Sequence, residues 1–312
     1  MDITYDYYRI FYYAAKYCSF SKAAAVLMSN QPNITRAMNN LESQLECKLF
    51  VRSNRGVTLT VEGKKLFAHV AAAYHHLHSA ELELLSDKSL DSGTVTISVT
   101  ETALHLFLLP ILSKFRKEYP GIRLCVFNYP TAESVKVVKD GMADFAVVTS
   151  PVRCERPLKS VPLRSFEDVL VCSSTRKDIG NEKVHLRDVA DQPFISMKKG
   201  TASYDFFSEF YLRNGLPFEV DIEVATIDQI LPMVMYDLGT GFLPREIVQG
   251  AVNHNRVKEI PLIEKIPKRE ICLIEGESIS MGMAARKLKK MLYEHRVKDL
   301  NKENDNLQGE SK

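Results

Sequence analysis

The sequence predicts an α/β protein in two parts: an N-terminal winged helix-turn-helix followed by a long helix, then a C-terminal α/β part with two lobes. Three observations carry this reading. From Ser19 to Gly63 the chain runs short helix, turn, helix and two short strands. From Val61 to Leu85 a helical pattern continues without proline. Beyond a polar, turn-rich stretch, strand and helix patterns alternate through two similar units.

In chain order, Thr4 to Tyr17 is a helix whose Tyr8, Phe11 and Ala15 close the first core; tyrosines at helical spacing are core residues rather than a platform for single-stranded bases. Ser21 caps a helix over Lys22 to Met28. Ser29 and Asn30 interrupt the pattern, and Pro32 opens the next helix from its favoured first-turn position. There Ile34, Met38, Leu41 and Leu45 form a buried stripe. The opposite face carries Gln31, Asn33, Thr35, Arg36, Asn39 and Asn40, the groups that read base edges and hold phosphates. LFVRSN and GVTLT are strands around the turn Ser53, Asn54, Arg55, Gly56. They form a wing whose Arg52 and Arg55 reach toward backbone or minor groove. Any small helical domain can hold a helix, a turn and a polar face; here the polar face, the proline start and the two-arginine wing occur together, in winged helix-turn-helix order.

The stretch AAAVLMSNQPNITRAMNNLESQLECKLFVR followed by LTVEG resembles the N-terminal signature of LysR-type transcriptional regulators. Ala24, Leu27, Gln31, Pro32, Arg36, Leu41, Glu42, Leu45, Leu49, Phe50, Arg52, Leu59, Thr60 and Gly63 stand in the family's order. Asn30, Asn33 and Thr35 depart from the family's usual small residues on or beside the DNA-facing surface. Glu46 replaces a usual glycine at the helix end, where positive φ costs any residue with a Cβ, and Glu62 a common alanine. The resemblance implies double-stranded DNA as partner, with Ser21, Asn30, Gln31, Pro32, Asn33, Thr35, Arg36, Asn39, Arg52 and Arg55 as the contact set.

A chain of 312 residues, 45% of them hydrophobic, has room for more than one core. Its net charge of +2 decides nothing, but through Thr60 seven Lys and Arg stand against four Asp and Glu. The absence of a leader-like start and of a membrane-length apolar run predicts a cytoplasmic protein. Six cysteines scattered singly fit reduced thiols rather than a zinc site or a disulfide framework.

In the long helix Leu66, Val70, Ala73, Leu77, Ala80 and Leu84 alternate spacings of four and three. That heptad seam predicts a helix pair and a two-fold dimer, weighed against the stripe packing on its own chain. His69, His75, His76 and His78 are read as surface or interface residues, because only Glu81 is in step with them as a further metal ligand. No metal or cofactor is expected.

Asp87 to Gly93 is the hinge. TVTISV, IRLCVF and DFAVVT are strands separated by the helices TALHLFLLPILSKFRKEY and AESVKVVKDG, which predicts a parallel sheet covered on both sides. The second unit runs through FEDVLVCSS, PFISM, a helix over 204–214, FEVDIEVA, a helix over 227–238 and TGFLP; REICLI and a helix over 280–297 then return. The expected division is 1–60 DNA-binding, 61–86 linker and dimerisation helix, 87–92 hinge, 93–300 effector-binding and 301–312 a disordered tail. The resemblance implies two Rossmann-like lobes similar to periplasmic binding proteins, with lobe I over 93–165 and 268–300 and lobe II over 166–267.

Ligands in open α/β sheets bind beyond the carboxyl ends of strands, at helix N-termini. That rule selects Thr100, Glu101, Thr102, Thr149, Ser150, Gly200, Thr201 and Thr226, the last in a T-x-x-Q capping box with Gln229. The resemblance places an inducer cleft there. Glu101 favours an amine or hydroxyl, whereas Lys198 and Lys199 favour a carboxylate or phosphate. No G-x-S-x-G, H-E-x-x-H, Walker or G-x-G-x-x-G pattern occurs, which speaks against an enzyme. A thiol-based redox regulator using Cys125, Cys154 or Cys172 is the alternative within the same fold. The resemblance further implies pairing of dimers into tetramers and a possible contact with RNA polymerase.

Overall fold

The computed structural model describes residues 3–53, 56–85, 92–177, 179–180, 182–276 and 281–309. The chain forms two compact units that meet in sequence at Asp87 and Lys88. Asn54, Arg55 and residues 87–91 of the expected hinge lie outside the described residues.

In the N-terminal unit, α1 (Tyr5–Tyr17), α2 (Phe20–Val26) and α3 (Gln31–Gln44) precede the hairpin β1 (Phe50–Ser53) and β2 (Gly56–Leu59), and α4 (Val61–Leu85) follows. Phe11, Ile34, Met38, Leu41 and Leu49 are fully buried at its centre. The cap of α2 is Ser19, which accepts from Lys22 N–H, rather than Ser21. Starting the helix there puts Phe20 in its first turn, where it packs edge-on against Phe50 with ring centroids 5.3 Å apart. Asn30 caps α3 by accepting from Asn33 N–H at 2.9 Å. Glu46 does adopt a left-handed φ of 52° at the end of α3, so it carries the backbone strain a glycine there would avoid. Gly63 answers to a close approach: a Cβ on it would lie 2.1 Å from the Leu49 carbonyl oxygen. Thr60 fixes that junction, donating to Lys48 O at 2.6 Å and accepting from Gly63 N–H at 2.9 Å.

The seam of α4 divides. Val70 is buried against the core of its own unit, with Leu66 half-buried beside it, while Ala73 and Leu77 face solvent. Tyr74 stacks on Tyr12 at 4.2 Å and shares a 2.6 Å hydroxyl contact with Tyr13. The self-packing alternative therefore holds for the first turns of the stripe. Ala80, Leu84, His75, His76 and His78 have side chains outside the described residues.

In the C-terminal unit, β3 (Gly93–Val99), β4 (Ile122–Asn128), β5 (Phe145–Thr149), β6 (Leu158–Phe166) and β12 (Arg269–Gly276) form one sheet in the order β4-β3-β5-β12-β6. The all-parallel expectation is corrected. β3, β4 and β5 are parallel, but β12 returns antiparallel to both β5 and β6. The strand β6 had no counterpart in the sequence reading; its Pro162 sits beside a register shift on an edge strand, the setting in which a sheet tolerates a residue without an N–H. The chain then enters a second sheet through β7 (Asp168–Ser173), which lies between β10 (Gly241–Pro244) and β11 (Val257–Ile260), with β8 (Ile195–Met197) and β9 (Ile222–Val224) as a parallel pair.

Helices α5 (Glu101–Ala103) and α6 (Leu109–Glu118) are joined without a break by a π-helical turn over Leu104–Leu108, so one helical run carries Pro110 inside it just after the π-turn, where the ladder is already irregular. The remaining helices are α7 (Thr131–Lys139), α8 (Leu186–Val189), α9 (Ala202–Arg213), the 3₁₀ turn Ile227–Gln229 with α10 (Ile230–Met235), α11 (Arg245–Asn253) and α12 (Met283–Gly309). The sequence reading had missed α8, α11 and β11. The expected disordered tail is also corrected: α12 continues to Gly309. Lys302, Glu303, Leu307 and Gln308 are good helix formers, and a formed helix propagates through them at little cost.

Candidate nucleic-acid interface and ligand cleft

Helix α3 sorts its residues cleanly. Ile34, Ala37, Met38 and Leu41 are buried, while Gln31, Pro32, Asn33, Arg36, Asn39 and Asn40 are exposed and Thr35 is half-buried. Several of the exposed groups are pre-positioned. Ser21 donates to Gln31 Oε1 at 3.0 Å, so the second helix of the motif orients the first residue of the third. Arg52 on β1 donates to Asn39 Oδ1 at 2.5 Å, with its guanidinium 5.2 Å from the Phe20 ring. Arg36 has no hydrogen bond or ion pair among the described residues. The face thus offers one unengaged guanidinium amid oriented amides.

Glu42 was known from the sequence only as a motif position, and its job is structural. It is 4% exposed on α3 and accepts from Leu49 N–H at 2.9 Å, from Phe50 N–H at 3.1 Å and from Lys48 Nζ at 2.8 Å. Burial raises its pKa, but these three donors outweigh burial and hold the carboxyl below its ordinary value. One buried carboxylate thereby ties α3 to the start of the wing.

In the C-terminal unit a cavity of about 110 Å³ is lined by Thr100, Glu101, Thr102, Thr149, Thr201 and Thr226. These come from the ends of β3 and β5 and from the entrances to α5, α9 and the 3₁₀ turn, where unpaired N–H groups gather. Of the sequence candidates, Gly200 does not line the cavity. It is exposed at φ 87° and serves the turn into α9. Lys198 and Lys199 are likewise exposed and off the lining. Asn128, Tyr129, Thr131 and Ser203 were missed, because nothing in their spacing reveals that β4, α7 and α9 converge.

Thr201 caps α9, accepting from Tyr204 N–H at 3.3 Å, and Gln229 accepts from Thr226 N–H at 3.3 Å, as the capping box requires. Among the described residues, Thr100 Oγ1 and Glu101 Oε2 at the cavity are buried without a hydrogen-bond partner. Burial and the neighbouring Asp228 carboxylate push Glu101 up to about 7.

Behind the cavity, at the passage between the two sheets, Arg269 and Asp168 form a fully buried pair at 3.4 Å. Arg269 also donates to Ser150 O at 2.9 Å and to Ser203 Oγ at 3.0 Å, and lies against the rings of Phe166 and Phe206. Burial pushes Asp168 up, against the opposing pull of the guanidinium.

The winged motif and the two-sheet unit are matched by two family models: "Bacterial regulatory helix-turn-helix protein, lysR family" over residues 5–64 and "LysR substrate binding domain" over residues 88–296. The chain belongs to the LysR family. It is a LysR-type DNA-binding transcriptional regulator with an effector-binding domain. Among LysR relatives, the HTH-type transcriptional regulator GltR of Bacillus subtilis (strain 168) is 27% identical, over 82% of this chain and 85% of its own. YofA of Bacillus velezensis is 27% identical over 90% and 94%. In fold the chain is similar to CbnR, a LysR family transcriptional regulator, with a TM-score of 0.69 at 15% identity and coverage of 95% and 99%. CbnR has also been solved in complex with its target DNA, and that structure gives the same TM-score at 16% identity, covering 96% of this chain and 100% of its own. A full-length OxyR variant from Pseudomonas aeruginosa gives 0.67 at 17% identity, covering 95% of each chain. Of the three thiols named for the redox alternative, Cys172 is buried and Cys154 is pushed up by burial, away from the reactive thiolate. No helix among the described residues is long and apolar enough to cross a membrane.

Proposed function

We propose that this regulator acts in the cytoplasm as a dimer, or a pair of dimers, on double-stranded operator DNA under the control of a small-molecule inducer held in the C-terminal cleft. In this reading α3 enters the major groove. Gln31, Asn33, Thr35, Arg36 and Asn39 meet base edges and phosphates, Ser21, Asn30 and Pro32 stand at the helix entrance, and Arg52 and Arg55 approach the flanking backbone. Dimerisation is supported by the exposed Ala73 and Leu77 and by an open apolar groove of about 290 Å³ between α1 and α4, lined by Tyr5, Tyr8, Leu66, Val70 and Ala73. An inducer gripped by both lobes shifts the assembly only through contacts that differ between its two states; a changed lobe angle then alters how paired dimers bend the DNA and admit RNA polymerase.

The observation that carries the DNA reading is Arg36, an exposed guanidinium with no partner among the described residues, set among amides that the protein itself orients. Arg36→Ala should weaken binding to an operator selected from a random duplex pool by about 1–3 kcal/mol at fixed salt. The melting temperature should stay unchanged, because Arg36 supports nothing in the fold. Equal affinity of the two proteins in anisotropy titrations would remove α3 from the interface.

A further inference from the structure

One cluster beside the cleft, sharing Glu101 with its lining, draws donors from both lobes. Glu101 at the start of α5 and His105 in the π-turn belong to the first lobe, and Asp228 in the 3₁₀ turn to the second. One ligand atom from each of the three lies within 4.8 Å of the other two. His105 Nε2 is 3.5 Å from Asp228 Oδ2. We infer that Glu101, His105 and Asp228 form a site for a divalent transition-metal cation, of the Zn²⁺, Co²⁺ or Ni²⁺ class, that bridges the two lobes.

Three features support the assignment. Glu101 and His105 stand four residues apart, so they project from neighbouring turns of one helical face, and the intervening π-turn widens that face as such turns do at functional sites. No Lys or Arg among the described residues pairs with Glu101 or Asp228, so the two carboxyl groups face each other with the His105 imidazole beside them. Glu101 Oε2 is buried and lacks a hydrogen-bond partner among the described residues, an acceptor that a cation satisfies. Asn128, which lines the same cavity as Glu101, is a neutral amide.

The donor chemistry selects the class. One imidazole nitrogen with two carboxylates suits borderline transition metals, whereas Mg²⁺ and Ca²⁺ prefer all-oxygen surroundings. Three protein donors leave a fourth position for water or for a donor atom of a cleft ligand. Metal–ligand bonds of about 2.0–2.2 Å would also draw the donors closer than their present spread. Because Asp228 stands on the other lobe from Glu101 and His105, loading the site draws the lobes together. The site stands whether or not the cleft also takes an organic inducer.

The test is Zn²⁺ binding to the metal-free full chain, followed by competition with a chromogenic chelator, with Mg²⁺ as control. The expected result is one Zn²⁺ per chain in wild type and at least about tenfold weaker binding in each of Glu101→Gln, His105→Gln and Asp228→Asn. A variant with His69, His75, His76 and His78 all changed to Gln should retain the site. Without metal, Glu101→Gln should melt at or above the wild-type temperature, because burial and Asp228 disfavour a charged carboxyl there, and Asp228→Asn should melt close to it, because Asp228 and its His105 contact are exposed; this separates loss of a ligand from loss of fold. Absence of stoichiometric Zn²⁺ binding would overturn the assignment. So would unchanged binding in the three variants, or loss only in the four-histidine variant. An organic-ligand screen on metal-free protein tests the inducer reading separately.

Discussion

Replacing Glu42 with alanine should loosen the wing from α3, and the size of the effect follows from what the carboxylate holds. Leu49 N–H and Phe50 N–H both end on Glu42 Oε1, at 2.9 and 3.1 Å, in a region where Leu49 is 1% and Phe50 5% exposed. Both N–H groups then lose their acceptor at buried residues, and each orphaned donor costs about 1–3 kcal/mol. The Lys48 ion pair adds little, because the Lys48 side chain is 76% exposed and screened. The total is about 3–5 kcal/mol, a large part of the roughly 5–15 kcal/mol that holds a domain folded. Glu42→Gln keeps an acceptor oxygen in place and should cost about 1–2 kcal/mol. Amide hydrogen exchange on the full chain is the direct assay: the peptide over 47–53 should lose protection strongly in Glu42→Ala and mildly in Glu42→Gln, with peptides of the C-terminal unit unchanged. The sign with pH also follows. Since the folded pKa of Glu42 is lowered, its stabilisation is fully present above the unfolded carboxylate value of about 4.3 and is lost as pH falls through the folded value. Glu42→Gln should flatten that acid limb. Native protection over 47–53 in Glu42→Ala would refute the reasoning.

Three further outcomes are expected. Leu77→Glu places a carboxylate on the exposed part of the α4 stripe and should convert dimer to monomer in sedimentation velocity; an intact dimer would move the interface elsewhere. Arg269→Met strands Asp168 in the interior and should destabilise the C-terminal unit by about 3–5 kcal/mol, whereas the double variant Arg269→Met, Asp168→Leu should recover most of that loss in urea titrations. A thermal-shift screen of amino acids, organic acids, aromatic acids and sugar phosphates should yield a ligand that raises the melting temperature. Thr100→Val should weaken that ligand without altering the apo protein, because Thr100 Oγ1 has no hydrogen-bond partner among the described residues; a ligand indifferent to Thr100 would lie outside this cavity.

The N-terminal unit was legible from sequence because its contacts are local and periodic. The stripe Ile34, Met38, Leu41 needs only a 3.6-residue repeat to declare its buried face, and the motif positions Pro32 and Gly63 each answer to a backbone demand, a helix start or a close approach. Most strands of the first sheet were legible for the same reason, as short apolar runs between turn signals. Tertiary structure decided what spacing does not encode. Whether Val70 turns inward while Ala73 faces out depends on where α1 lies against α4, not on the heptad. That β12 runs antiparallel between β5 and β6 depends on a return of the chain more than a hundred residues after β5. The strand β6 escaped detection because Pro162 is a strand breaker unless a partner's register shift absorbs it. Thr100, Thr201 and Thr226 could be picked individually as residues at helix entrances. That Glu101 and His105 meet Asp228 across the cleft, more than a hundred residues away in sequence, could not, because their proximity is a property of how two lobes close and of no local pattern.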